Sequence, residues 1–152
     1  MEVYRLSREK FSHNLSGTGA ALYGARWNSV GTELVYTAAN RSLAMAEVAV
    51  HLTLATLPED FVMLTISIPD DISIETILEK DLSDGWNNFP YLSNTQGIGD
   101  KFVTQGDYCI LSTPSAVTQG DNNFLLNPVH PDFKRIKIID SKKFPFDHRI
   151  FK

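Results

Sequence analysis

Arg26, Tyr36 and Glu47 stand in the first third of the chain where packing alone does not call for them. Arg26 lies in "YGARWN", two residues after Gly24 and directly before Trp27. A guanidinium is a planar fork of N–H donors that grips phosphate or carboxylate oxygens. Gly17, Gly19 and Gly24 would let backbone amides approach the same anion. Neither GxGxxG nor GxxxxGK[ST] is present, so the glycines alone do not define a nucleotide loop. The alternative is a solvated loop arginine, or one stacked on Trp27. Glu47 sits in "RSLAMAEVAVHLTLA" among alanine, methionine and valine. An isolated buried carboxylate is costly unless it is paired or hydrogen-bonded. Two readings follow. Glu47 pairs with His51, one helical turn on, along a solvated stripe. Or it points into a polar cleft, where a carboxylate can hold a ribose hydroxyl and stabilise a developing cation, as in glycoside cleavage.

Tyr36 shares a strand face with Leu34 and Ala38 in "LVYTA". It reads as a core tyrosine, or as a platform for a flat ring with a hydroxyl for orientation. Ser115 follows Pro114 in "STPSAV", where turn chemistry accounts for it. No GxSxG elbow surrounds it, which argues against a hydrolase-type nucleophile. His130, in "LLNPVHPDF", could join His51 and Glu47 in imitation of a metal set. Without HExxH or paired-histidine spacing, no metal is expected.

The elements that must position these groups follow from pattern. "VYRL" at 3–6 and "LVYTA" at 34–38 read as strands, separated by a long loop at 12–33 rich in Ser, Gly, Asn and Thr. Leu15, Ala20, Ala21, Leu22, Tyr23 and Trp27 argue that this loop is ordered. Asn40 or Ser42 caps a helix over 41–55, apolar nearly all round and therefore expected to be buried on most sides. "FVMLTISIP" at 61–69 is the strongest strand signal, ended by Pro69. Residues 73–78 form a short strand or helical turn, and 81–93 a loop. Thr95 caps an amphipathic helix over 95–105, with Ile98, Phe102 and Val103 inward. Strands at 108–114, 124–127 and 135–140 complete the chain. This order predicts an α+β fold, with a mixed, mainly antiparallel sheet, few helices and a cleft built from loops.

The 152 residues suit one compact domain, 1–152, able to bury a core without a staple. The hydrophobic fraction of 43% and charged fraction of 21% are those of a soluble globular protein. A net charge of −4 with no dense Lys/Arg run disfavours direct nucleic-acid binding. Cys109 is the only cysteine, which excludes an intrachain disulfide; in "YCILS" it reads as a small buried hydrophobe. The N-terminus has no apolar run of signal-peptide length, and no stretch of about 18 apolar residues occurs, so a cytoplasmic chain without a membrane span is expected.

Taken together, "VYRL", "SGTGAALYGARWNSVGTELVYTAANRSLAMAEVAVHL" at 16–52, "LSTPSAV" at 111–117 and "NFLLNPVHPDF" at 123–133 resemble the RES-domain family. That family is the toxin half of bacterial RES–Xre toxin–antitoxin pairs, named for an arginine, a glutamate and a serine. The matching positions are Arg26, Glu47 and Ser115; Tyr36 matches a further active-site tyrosine, and Arg5 an N-terminal arginine, a second phosphate-binding candidate. The resemblance implies a fold like that of diphtheria-toxin-type ADP-ribosyltransferases and cleavage of the nicotinamide–ribose bond of NAD. Family members act as glycohydrolases, as phosphorylases with phosphate as co-substrate, or as protein ADP-ribosyltransferases. It implies roles too: Arg26 on the pyrophosphate or nicotinamide ribose, Tyr36 against nicotinamide, Ser115 on the ribose or behind Glu47, and Glu47 beside the oxocarbenium-like centre. It further implies an Xre-type helix-turn-helix antitoxin as partner. The glycine pair usual before the arginine is Gly24–Ala25 here, which keeps a small residue. Residues 70–95 match less firmly and could shape acceptor or antitoxin contacts. "GWNNFPYL" could seat a partner, and a homo-oligomer stays open. The rival class is a non-enzymatic interaction module in which Arg26, Tyr36 and Glu47 form only a buried polar network.

Overall fold

The computed structural model describes residues 1–151. The chain runs β1 (Glu2–Arg8), α1 (Thr18–Tyr23), β2 (Val35–Ala38), α2 (Arg41–Ala49), β3 (Phe61–Ser67), β4 (Ile74–Thr76), α3 (Ser93–Gln105), β5 (Ile110–Pro114), β6 (Asn122–Leu126) and β7 (Lys137–Lys143), with short 3-10 turns between. The strands form one sheet in the order β4-β5-β6-β2-β1-β3-β7. Only β4 and β5 run parallel; every other neighbouring pair is antiparallel. This is the expected α+β arrangement.

The alternation of side chains along β2 divides the core. Val35 points to one face of the sheet, where it packs with Val3, Leu64, Ile66, Ile110 and Leu126. Leu34 and Ala38 point to the other face but join different clusters. Leu34 packs with Trp27, Trp86, Phe102, Leu111 and Leu125. Ala38 packs with Leu6, Leu43, Ala44, Phe61, Met63 and Phe146. A groove between these two clusters is thus built into one face of the sheet. Its floor is also weakened: β1 pairs with β3 along its whole length, but with β2 only at Tyr4 and Ala38. Beyond that pair β1 and β2 part.

Several local expectations change. The 12–33 segment is not all loop, since it contains α1. It is tied down by Asn28, fully buried, whose amide donates to the carbonyls of Ala20 at 2.8 Å, Thr32 at 3.0 Å and Ser29 at 3.2 Å. Asn40 caps α2, its Oδ1 accepting from the Leu43 N–H at 2.8 Å. The helix stops at Ala49 rather than 55. The amides of His51 and Leu52 bond three residues back, to Val48 and Ala49, and this tightening ends the α-helix. Nor is α2 buried on most sides: only Leu43 and Ala44 are buried, because Glu47 and Val48, with Val50 and His51 just beyond the helix, face a cleft. Helix α3 begins at Ser93, two residues early, and Thr95 lies inside it; its hydroxyl donates to the Leu92 carbonyl at 2.9 Å.

Candidate active site

The groove between the two clusters is a cleft of about 720 Å³, and Arg5, Arg26, Tyr36 and Glu47 all line it. Three elements present Arg5, Tyr36 and Glu47: the floor strands β1 and β2, and the flank of α2. The loop before β2 supplies Arg26.

Glu47 is placed by its partner. Its Oε1 accepts from the Ser115 hydroxyl at 3.0 Å. The Ser115 oxygen in turn accepts from the amides of Val117 at 3.1 Å and Thr118 at 3.0 Å. With its lone pairs engaged by two N–H groups, the hydroxyl proton is directed at the carboxylate. Ser115 is only 5% exposed and stands behind Glu47 rather than in the cleft lining, a position suited to supporting the carboxylate. Burial pushes the Glu47 carboxyl above its ordinary value. Ser115, then Asn123, then the charges of Arg26 and His51 favour the ionised form and offset part of this. Asn123 donates its amide to the Thr37 carbonyl at 3.3 Å, on the cleft floor. No Glu47–His51 ion pair forms among the described residues; the histidine acts on Glu47 only as a neighbouring charge.

Arg26 does not stack on Trp27. Its Nη1 donates to the carbonyls of Trp86 at 2.7 Å and Asn88 at 2.9 Å, and its guanidinium carbon lies 5.1 Å from the centre of the Tyr91 ring. Burial lowers its pKa, against the opposing influence of Tyr91, Glu47 and Tyr36. Tyr36 donates its hydroxyl to Asn28 Oδ1 at 2.6 Å and accepts from the Trp27 amide at 3.1 Å. The phenol therefore braces the 26–28 turn, and burial pushes its pKa well up. Arg5 differs from both. Its Nη1 reaches only the Ser16 carbonyl, at 3.5 Å, no carboxylate pairs with it among the described residues, and burial lowers its pKa. A partly desolvated cation without a counter-ion is costly unless something else supplies the negative charge.

His130 is not brought to this site. Its Nδ1 accepts from the Asp132 amide at 3.1 Å, on the turn after β6. Among the described residues no group of three or more His, Cys, Asp or Glu is placed to hold a metal ion. Cys109 is buried at 1% exposure.

Sequence reasoning missed Gly99 and Tyr4. Gly99 in α3 packs against the 26–28 turn so closely that a Cβ there would lie 1.5 Å from the Trp27 carbonyl oxygen. Tyr4 lines the floor. Asn87, Phe89 and Tyr91 form a wall; they belong to "GWNNFPYL", which the sequence offered as a seat for a partner rather than as part of the cleft.

Comparison with known proteins identifies the family. The family model described as "RES domain" matches residues 2–147. A protein of Photorhabdus laumondii named Toxin Res is 38% identical over 154 aligned residues, covering 100% of this chain and 98% of its own. A protein of Sphingobium sp. named Prs ADP-ribosylating toxin is 35% identical over 141 residues, covering 91% of this chain and 88% of its own. In fold, the chain superposes on one from the crystal structure of the M. tuberculosis MbcT–MbcA toxin–antitoxin complex with a TM-score of 0.75, at 19% identity, over 94% of this chain and 83% of that one. From the family match and these relatives, this chain belongs to the RES domain family.

Proposed function

We propose that the chain is the toxin of a toxin–antitoxin pair and that its cleft cleaves the bond between nicotinamide and ribose in NAD. The observation that carries this is a half-buried carboxylate, fixed by a hydroxyl, in a cleft that also holds two arginines. A dinucleotide needs cationic groups for its pyrophosphate and an anion beside the carbon that becomes electron-poor. Arg5, with no carboxylate partner among the described residues, suits the pyrophosphate. Arg26 keeps Nε and Nη2 for the same end of the ligand. Glu47 faces the ribose carbon and stabilises the oxocarbenium-like transition state as the bond breaks. Nicotinamide leaves with the bonding electron pair and becomes neutral, so no general acid need protonate it. Ser115 holds the carboxylate in place, and Tyr36 holds the turn that carries Arg26.

The cationic centre then meets water, phosphate or a protein side chain. Hydrolysis or phosphorolysis then depletes NAD. The Sphingobium relative, named for ADP-ribosylation, favours transfer to a protein as the second reading. The antitoxin partner is inferred from the toxin–antitoxin complex to which the fold is similar.

The test is nicotinamide release from NAD, with and without phosphate, by the wild type and Glu47→Gln. Removing one preorganised electrostatic contact of this kind costs about 3–4 kcal/mol, so the variant should be roughly a hundredfold slower or more. Equal rates would overturn the assignment of Glu47. Radiolabel from NAD recovered on protein rather than in free ADP-ribose or its 1-phosphate would select the second reading.

A further inference from the structure

Trp86, only 6% exposed, is the buried residue in a run of turns over 84–91 that is otherwise exposed or half-buried. Two neighbouring residues of the opposite loop hold that run. Trp27 packs on Trp86 with ring centres 6.1 Å apart. Both hydrogens of Arg26 Nη1 go to the carbonyls of Trp86 and Asn88. The same guanidinium lies over Tyr91. Beyond the clamp, Phe89 stands edge-on to Tyr91, ring centres 5.3 Å apart at 88°, and both rings line the cleft. Phe89 is 73% exposed there, so it presents a ring that its own chain does not cover. Tyr36 also borders the cleft, but its hydroxyl is engaged and its half-buried ring packs against the Trp27–Leu34 cluster, so Phe89 is the more open ring.

We propose that Phe89 and Tyr91 receive a flat base of the dinucleotide, and that Arg26 is the positioning residue that holds their segment on the cleft wall. The inference rests on the reading of the cleft as a dinucleotide site and names the residues that recognise the ring. Aromatic faces bind bases by stacking, which accepts either a pyridine or a purine ring. Arg26 acts on this step through the main chain of residues 86 and 88. A lysine would keep the charge but could not span two carbonyls while lying flat against a ring.

The chain's two tryptophans are Trp27 and Trp86, so its intrinsic fluorescence reads the clamp directly. In Arg26→Lys the emission should shift to the red and become more accessible to acrylamide, at a melting temperature near that of the wild type. Wild-type emission and quenching in that variant would overturn the positioning role. For the rings, NAD is titrated calorimetrically into the slow Glu47→Gln protein, with and without Phe89→Ala, an exposed position where folding is not at stake. Loss of one stacking partner should weaken NAD binding about tenfold. Unchanged affinity, or no NAD binding at all, would overturn the ring assignment. The two readings fail separately. NAD that binds through Phe89 but is never cleaved by the wild type removes the proposed reaction and keeps this inference. NAD that is cleaved normally but bound independently of Phe89 does the reverse.

Discussion

Ser115→Ala separates two roles that the serine could play, because they differ in pH dependence. Ser115 gives its only proton to Glu47 and accepts two amides. Removing the hydroxyl leaves the carboxylate without its hydrogen-bond donor and the amides of Val117 and Thr118 without an acceptor. A hydrogen bond to a charged group contributes about 1.5–3 kcal/mol. Ser115 is the foremost influence holding the Glu47 carboxyl down against burial, so its loss raises that pKa further. Only ionised Glu47 can stabilise the cationic transition state. The acid limb of nicotinamide release should therefore move to higher pH, with a loss of roughly ten- to a hundredfold on that limb, following from 1.4 kcal/mol per decade. At higher pH, where Glu47 is ionised in both proteins, part of the rate should return. The remaining deficit reports loss of orientation. The assay is the initial rate of nicotinamide release between about pH 4 and 9, with melting temperatures recorded across the range. A loss of the same size at every pH would refute the argument, since it would place Ser115 on the substrate instead of on Glu47.

Gly99→Ala should destabilise the fold by about 1–3 kcal/mol and slow nicotinamide release at least tenfold, because the new methyl displaces the turn bearing Arg26; unchanged melting and turnover would refute the close approach. Arg5→Met should raise KM for NAD about tenfold without lowering the melting temperature, since it removes a half-buried cation that has no carboxylate partner among the described residues; a wild-type KM would refute its role in binding. Glu47→Gln should match or exceed the wild type in thermal stability at neutral pH. Burial raises the folded-state pKa of Glu47, so the folded chain holds this proton more tightly than the unfolded one, and stability falls as pH rises through that range. The advantage of the variant should shrink as pH drops and Glu47 protonates; an advantage that grows in acid would refute the sign.

What the sequence revealed follows from which signals are local. The strand "FVMLTIS" and the cap Asn40 are read from neighbouring residues, and both stand where the pattern puts them. Helix α2 misleads for a physical reason. An all-apolar helix was expected to be covered on most sides, but part of its surface borders a cleft, and a cleft wall can be as apolar as a core. The glutamate is the sign of this, the one residue in the run 43–50 whose chemistry does not match its neighbours. The partners of the polar groups were less legible because they are distant in the chain. Ser115 lies 68 residues from Glu47, and Trp86 lies 60 from Arg26. Gly99 looks like a flaw in a helix until the Trp27 carbonyl is seen against it.

The sheet itself explains why these distant residues meet. β1 and β2 are neighbours, yet they pair only at Tyr4 and Ala38, and the opening beside that pair is where Arg5 and Thr37 border the cleft. A continuous ladder there would satisfy the backbone and close the floor. The chain instead supports the opening from its sides. Asn123 bonds the Thr37 carbonyl, the Thr37 hydroxyl bonds the Phe124 carbonyl at 2.6 Å, and Tyr36 braces the turn above. Each of these bonds joins β2 or its preceding turn to a neighbour other than β1. The side chains around the cleft thereby keep their places without the pairing that would fill it. It follows that the substitutions most damaging to the site need not touch a ligand. Tyr36 and Gly99 hold the turn, Ser115 holds the carboxylate, and only then do Arg5, Arg26 and Glu47 face one space.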